Sequence, residues 1–252
     1  MQPIYKRIQQ RARQIAEGMP APDFYRDHAG ANNLSGNLLD SNPDMAALNE
    51  IVAEYLQHNA GHGLKHSRKV ALDAGTLTII EGRRANLAEN EIQRLTYLSH
   101  MAGLLHDVKR KKKNHAVEGA LFSRKILPAF SLSPQEVEDV ANAIRNHEAF
   151  KPLIPIDSLH GALVAGCLYD ADKFRWGPDN FTDTVWNMIA IYNPPLSEFI
   201  KRYPEGMRGI ARIKETFRTA TGKMYGPQFI DLGIAIGEKL YKAILEEFKS
   251  CL

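Results

Sequence analysis

Apolar residues recur every three or four positions along most of this chain, which is the spacing of helices with one buried face. No alternating strand run and no internal repeat stands out. Residues 1–17 predict a helix with Ile4, Ile8 and Ile15 on one side. Residues 18–43, rich in Pro, Gly, Asn and Asp, read as a loop. A helix is expected from Asp44 to about His58. The stretch "GHGLKHSRKVALDAGTLTII" then places His66, Val70, Asp73, Leu77 and Ile80 at helical spacing. In "NLAE", Asn86 followed three residues later by Glu89 reads as a capping box. It opens a helix whose stripe runs Ile92, Leu95, Ser99, Ala102, His106.

Asn114 can cap a further helix, with His115, Gly119, Phe122 and Ile126 on one face. "SPQE" is a start signal: Ser133 as cap, Pro134 at the first helical position, Glu136 closing the box. Val137, Val140, Ile144 and His147 line up behind it. Residues 160–172 form an apolar helix ending in "YDADKF". Residues 181–250 read as more helices, broken near Pro194, Pro195 and Pro204 and at "TGKMYGP". The last of them buries Phe229, Leu232, Ile236 and Leu240. The expectation is an all-α protein. A helical core spans about 44–175, an extension of helix plus loop covers 1–43, and a C-terminal helical layer, 176–252, packs on the core.

With 252 residues, 44% of them hydrophobic, the chain can bury one large core, or a core with an added layer. A net charge of +3 is too slight to point to nucleic acid. The two cysteines, Cys167 and Cys251, make neither a disulfide framework nor a Cys-pair metal motif, which favours a reducing compartment. The longest apolar run, around 161–169, is far short of a membrane span. The N-terminus lacks the continuous apolar stretch of a secretory signal. A soluble cytoplasmic protein with no membrane partner is expected.

The stripes carry chemistry at their ends. His66, the adjacent pair His106–Asp107, His115, His147 and Asp172 stand at the inner ends of separate predicted helices. A single histidine on an apolar face is usually a hydrogen-bonded core residue. Four of them with two carboxylates are different, because burying so many unpaired polar groups costs several kcal/mol. A shared cation removes that cost. Imidazole and carboxylate suit Mn, Fe, Co, Ni or Zn, and helices of a bundle can bring such ligands together. His62, four residues before His66, reads as a loop or cap residue beside the glycines of "GHG". His58, His100 and His160 read as structural or surface residues.

The order His66, His106–Asp107, Asp172, within "KHSRKV", "LLHDV" and "YDADKF", resembles the HD-domain metal-dependent phosphohydrolase superfamily. "HAVEGA" and "IRNHE" resemble it too, and the likeness covers about residues 58–175. It implies an HD-domain helical bundle with additional C-terminal helices. His115 and His147 extend the likeness to the dinuclear pattern H…HD…H…H…D, so the implied cofactor is one or two divalent transition-metal ions. Asp170 or Asp172 can supply the last ligand, and the resemblance favours Asp172. Two features depart from the usual pattern: Lys109 stands where many relatives carry Gly, and the segment from Asp107 to His115 is short.

The implied activity is hydrolysis of a phosphoester, in a nucleotide or another small phosphorylated molecule, with His106 and Asp107 at the catalytic centre. "KRKKK" at 109–113 begins at the rim of such a site, where cations attract phosphate. Lys109 and Arg110 are candidate phosphate contacts, Arg110 falling where relatives often carry a basic residue. Lys173 and Arg175, with Trp176, form a candidate pocket wall or else a packed turn. "TATGKMYG" lacks the spacing of a phosphate loop and reads as an interhelical turn. Two alternatives remain: a di-iron oxygenase of the same superfamily, and a nuclease or nucleic-acid-binding module, the latter motivated by "KRKKK".

Overall fold

The computed structural model describes residues 1–56 and 62–248, apart from the side chains of His62 and Ile191. His58 and Cys251 lie outside the described residues. Among those described there are twelve α-helices and no strand, so the protein is all-α. No helix of the described residues is long and apolar enough to cross a membrane.

Contacts divide the chain into two units: Met1–Asp23, Lys173–Thr216 and Tyr225–Leu252 form the first, and Phe24–Asp172 with Phe217–Met224 the second. Residues 24–43 fall in the second unit.

The first unit contains α1 (Pro3–Glu17), a π-helical turn at 180–184, α10 (Val185–Tyr192), α11 (Leu196–Arg212) and most of α12 (Ala220–Glu247). Tyr5, Phe199 and Tyr203 pack edge to face, with Tyr5 5.8 Å from Phe199 and Phe199 5.5 Å from Tyr203. The buried face of α1 is Tyr5, Ile8 and Ala12 rather than Ile4, Ile8 and Ile15. The outer two isoleucines sit at the edges of that stripe and are half-buried. The expected break at Pro194–Pro195 is there, with Asn193 left-handed (φ 40°) at the end of α10. The expected breaks at Pro204 and at "TGKMYGP" are not: Pro204 lies inside α11, and the second segment forms the first turns of α12, with Pro227 inside it. Each proline removes one backbone hydrogen bond. Burial of Leu196, Tyr203 and Ile210 on α11, and of Phe229, Leu232, Ile236 and Leu240 on α12, outweighs that local loss.

The second unit holds α2 (Asp23–Asp27), α3 (Ala29–Ser41), α4 (Pro43–Leu56), α5 (His62–Arg84), α6 (Glu89–Leu105), α7 (His115–Ile126), α8 (Pro134–Arg145) and α9 (Leu159–Phe174), although Asp23 and the last two residues of α9 fall in the first. The loop expected at 18–43 is therefore mostly helix. Its Asn and Gly content lowers local propensity, but Ala31, Ser35 and Leu39 bury one stripe at four-residue spacing. The Ser35 hydroxyl lies 2.8 Å from the Leu72 carbonyl and 2.9 Å from His100 Nε2. Packing against α5 decides this segment.

Asn86 is a second correction. It does not cap α6, whose cap position is Ala88 with no side-chain bond. Asn86 instead takes a left-handed conformation (φ 55°) that ends α5. Leu87 N–H donates to the Gly82 carbonyl and Asn86 N–H to that of Arg83, a Schellman arrangement. Asn tolerates this backbone better than most residues. The expected box at Ser133 does form, with reciprocal bonds between Ser133 and Glu136.

The pair α5–α6 positions the site. Gly103 permits their close crossing, because a Cβ there would lie 2.4 Å from Ala71 Cα. The stripe Ile92, Leu95, Ser99, Ala102, His106 is buried throughout, and carries His106 into the interior at the end of α6.

Candidate metal centre

Five helices and the turns that follow two of them bring six polar side chains to one place. His66 comes from the second turn of α5, His106 caps the end of α6, and Asp107 follows in the turn. His115 is the first residue of α7, His147 lies just beyond α8, and Asp172 is near the end of α9. His106, Asp107, His147 and Asp172 are buried, while His66 and His115 are half-buried.

The donor atoms gather in two groups. In the first, His66 Nε2 lies 3.3 Å from His106 Nε2, 3.8 Å from Asp107 Oδ2 and 3.5 Å from Asp172 Oδ1. His106 Nε2 lies 3.5 Å from Asp107 Oδ2 and 3.7 Å from Asp172 Oδ1. In the second, the Nε2 atoms of His115 and His147 are 3.2 Å apart, and stand 3.6 and 3.7 Å from Asp107 Oδ1. Asp107 thus gives one oxygen to each group.

These separations fit a cation. Atoms bound to one ion at about 2.0–2.2 Å stand roughly 2.8–3.6 Å from one another in tetrahedral or octahedral order, and the separations here reach the upper end of that range or pass it by 0.1–0.2 Å. The tautomers fit as well. His106 Nδ1 lies 2.8 Å from the Gly103 carbonyl and His147 Nδ1 2.7 Å from that of Ile144. A carbonyl can only accept, so each ring holds its proton there and turns the lone pair of Nε2 inward. Burial pushes the His106 pKa down to about 4 and lowers that of His115, which keeps both rings neutral. Burial raises the Asp107 carboxyl, but His106, Arg110 and His147 more than offset this and hold it well below its ordinary value. His106 and His147 therefore turn acceptor nitrogens toward carboxylate oxygens, and with His66, His115, Asp107 and Asp172 they make a donor set that a divalent ion would complete.

Asp170 and Asp172 are distinguished here. Asp170 accepts from the backbone N–H groups of Arg218 and Thr219, each at 2.8 Å, and from the Thr219 hydroxyl at 2.7 Å. Thr219 Oγ1 also accepts from Gly222 N–H, so it caps α12. A Cβ at Gly222 would stand 2.0 Å from Asp170 Oδ2. This accounts for the glycine of "TGK", which opens a helix rather than forming a turn.

The four candidate substrate residues are placed differently from one another. Arg110 Nη1 lies 2.5 Å from Asp107 Oδ2, with its side chain about half exposed (47%). Asp107 raises the pKa of that guanidinium. The Lys109 ammonium sits over two rings, 4.0 Å from the centre of Tyr55 and 4.2 Å from that of Phe122. Lys173 and Arg175 are buried, and Arg175 pairs with Asp179 at 2.5 Å. Lys111, Lys112 and Lys113 are exposed. His100 is buried on Ser35, and His160 pairs with Glu91 at 2.6 Å.

Sequence reasoning passed over Glu148, whose Oε1 is 4.0 Å from His115 Nδ1; the adjacent His–Glu of "RNHE" was its only signal. The ring pair holding Lys109 left no local signal, since Tyr55 and Phe122 lie far apart in sequence.

An all-helical protein with this donor set defines the class. The HD domain family model matches residues 63–176, a span that includes all six donors. The chain carries an HD domain. A solved structure of a predicted HD superfamily hydrolase from an uncultured Thermotogales bacterium is 22% identical, with 85% of this chain and 95% of that chain covered and a TM-score of 0.44. No curated protein matches the chain.

Proposed function

We propose that the protein is a metal-dependent phosphohydrolase acting on a phosphoester of a nucleotide or another small phosphorylated molecule. The observation that carries this reading is the Asp107 carboxylate, with one oxygen among His66, His106 and Asp172 and the other between His115 and His147. His66, His106, Asp107 and Asp172 would hold one ion, and Asp107, His115 and His147 a second. Bound divalent metal would polarise a phosphoryl oxygen and make water more acidic. Asp107 helps orient the attacking water, and His106 is fixed by its bond to the Gly103 carbonyl. Arg110, half exposed beside Asp107, supplies positive charge for the substrate phosphate, and the exposed lysines at 111–113 add to the field that attracts it. Lys109 is engaged with Tyr55 and Phe122, and Lys173 and Arg175 are buried, so Arg110 is the phosphate contact favoured among the four. Cys167 is a free buried thiol, in keeping with a cytoplasmic setting.

The test is to purify the protein with Mn, Fe, Co, Ni or Zn, measure metal per chain, and assay phosphate release from a panel of phosphoesters without oxygen. Release should persist anaerobically and fall at least about 100-fold in Asp107→Ala. Arg110→Ala should chiefly raise KM. Turnover that requires oxygen and frees no phosphate from any member of the panel would favour the oxygenase. Cleavage or retention of nucleic acid that weakens with salt would favour the nucleic-acid reading.

A further inference from the structure

Lys109 and Arg110 are neighbours in one turn, and their side chains are held by different partners. The Lys109 ammonium lies 4.0 Å from the centre of the Tyr55 ring and 4.2 Å from that of Phe122. These rings come from α4 and α7 and meet edge to face, with their centres 4.6 Å apart. Tyr55 is exposed and Phe122 is buried. A cation is drawn to the face of an aromatic ring by the negative charge concentrated there. Lys109 therefore ties its turn to two helices through one side chain. Arg110 Nη1, one residue on, lies 2.5 Å from Asp107 Oδ2.

The turn needs such a tie. Five cations stand in a row at 109–113, and like charges so close repel one another. Lys111, Lys112 and Lys113 are exposed. The backbone carries the anchor from Lys109 to its neighbours: Arg110 N–H donates to the Asp107 carbonyl at 2.9 Å, and Lys112 N–H to that of Lys109 at 2.8 Å. The chemistry of the anchor suits its place. Glu118 on α7 is near enough to favour the charge on Lys109, but the groups in contact with the ammonium are neutral rings. A carboxylate in contact there would compete with Asp107 for metal and with phosphate for Arg110. Rings hold the cation and do neither. We infer that Lys109 is a positioning residue: seated on Tyr55 and Phe122, it holds the turn so that Arg110 stands beside Asp107 before a phosphate arrives. Arg110 is long and half exposed, so fixing it beforehand lowers the entropy lost when phosphate binds. This role rests on the reading of Arg110 as the phosphate contact.

The probe is inorganic phosphate, titrated by calorimetry into the whole metal-loaded protein. Tyr55→Leu removes one ring and leaves every charge in place. Phosphate Kd should rise at least about fivefold, with thermal unfolding and metal per chain unchanged. Tyr55→Phe keeps the ring and should bind phosphate as the wild type does. A Lys109 that met phosphate itself would be released by Tyr55→Leu, so tighter or unchanged binding in that variant would overturn the proposal. Action through Arg110 has its own signature. In an Arg110→Ala background, Tyr55→Leu should change Kd by less than about twofold, and an undiminished effect there would also overturn it. Lys109→Arg should restore what Lys109→Met loses, since only the first keeps a cation over the rings. The anchor is also read without phosphate. In Tyr55→Leu, hydrogen exchange at the Arg110 and Lys112 amides should quicken at least about threefold, and unchanged exchange would overturn the anchor. Quickened exchange in a protein whose wild type binds no phosphate supports the anchor and overturns instead the phosphate reading of Arg110.

Discussion

Asp170 and Asp172 lie two residues apart on one helix and serve different structures. Asp172 Oδ1 stands 3.5 Å from His66 Nε2, among the metal-centre donors. Asp170 accepts three hydrogen bonds from Arg218 and Thr219 at the start of α12. Two residues on an α-helix are about 200° apart, so the pair faces nearly opposite ways. Asp170→Ala should lower stability by about 2–3 kcal/mol, because two backbone N–H groups and a hydroxyl lose their acceptor. Metal per chain should be retained. Asp172→Ala should do the reverse: metal falls and the unfolding midpoint of the metal-free protein hardly moves. Denaturant unfolding and metal analysis of the two variants separate these outcomes.

The shared carboxylate makes Asp107 the residue with the widest effect on metal. Asp107→Ala should lower affinity at both donor groups, and His147→Ala only at the group it shares with His115. In metal titrations, His147→Ala should keep one class of site near wild-type affinity, and Asp107→Ala should keep none within about tenfold of it.

Gly103 is held to its size by the α5–α6 crossing. Gly103→Ala would bring a methyl group within 2.4 Å of Ala71 Cα, which is main chain and cannot swing aside. The helices must separate, at a cost of about 1–3 kcal/mol. The same shift moves His106 away from His66. Thermal unfolding should fall by several degrees, and metal affinity with it.

Acid should expose the contribution of Glu136. Arg94, bonded at 2.5 and 2.8 Å, lowers its pKa from 4.5 to about 2, with burial opposing and the Ser133 cap helping. A lowered pKa means that the unfolded chain takes up the proton first. The stabilisation is complete above about pH 4.5 and is lost as pH falls toward 2. Because Arg94 is partly exposed, its size is discounted to about 1 kcal/mol. Glu136→Gln should remove that part of the acid dependence, measured as unfolding free energy between pH 5 and 2.5.

Periodicity, caps and residue order determined much of this protein without its structure. The stripe ending in His106, the box at Ser133–Glu136 and the apolar face of α12 were legible because each depends on neighbours within a few residues. The convergence of His66, His106, Asp107, His115, His147 and Asp172 was legible for a related reason: each stands at the end of an apolar row that must point inward. Tertiary contacts decided the rest. Residues 29–41 are helical because Ser35 and Leu39 pack against α5, against their local propensity. Pro204 and Pro227 stay within helices for the same reason. Asn86 ends one helix rather than starting the next, a choice between two local patterns that only backbone conformation separates. Packing also brought Asp172 beside His66 and His106 and gave Asp170 to the start of α12, and it gave Lys109 to Tyr55 and Phe122 while leaving Arg110 on Asp107. Adjacent cations look alike in a sequence. They part only where the turn of the backbone sends one toward an aromatic pair and the next toward a carboxylate.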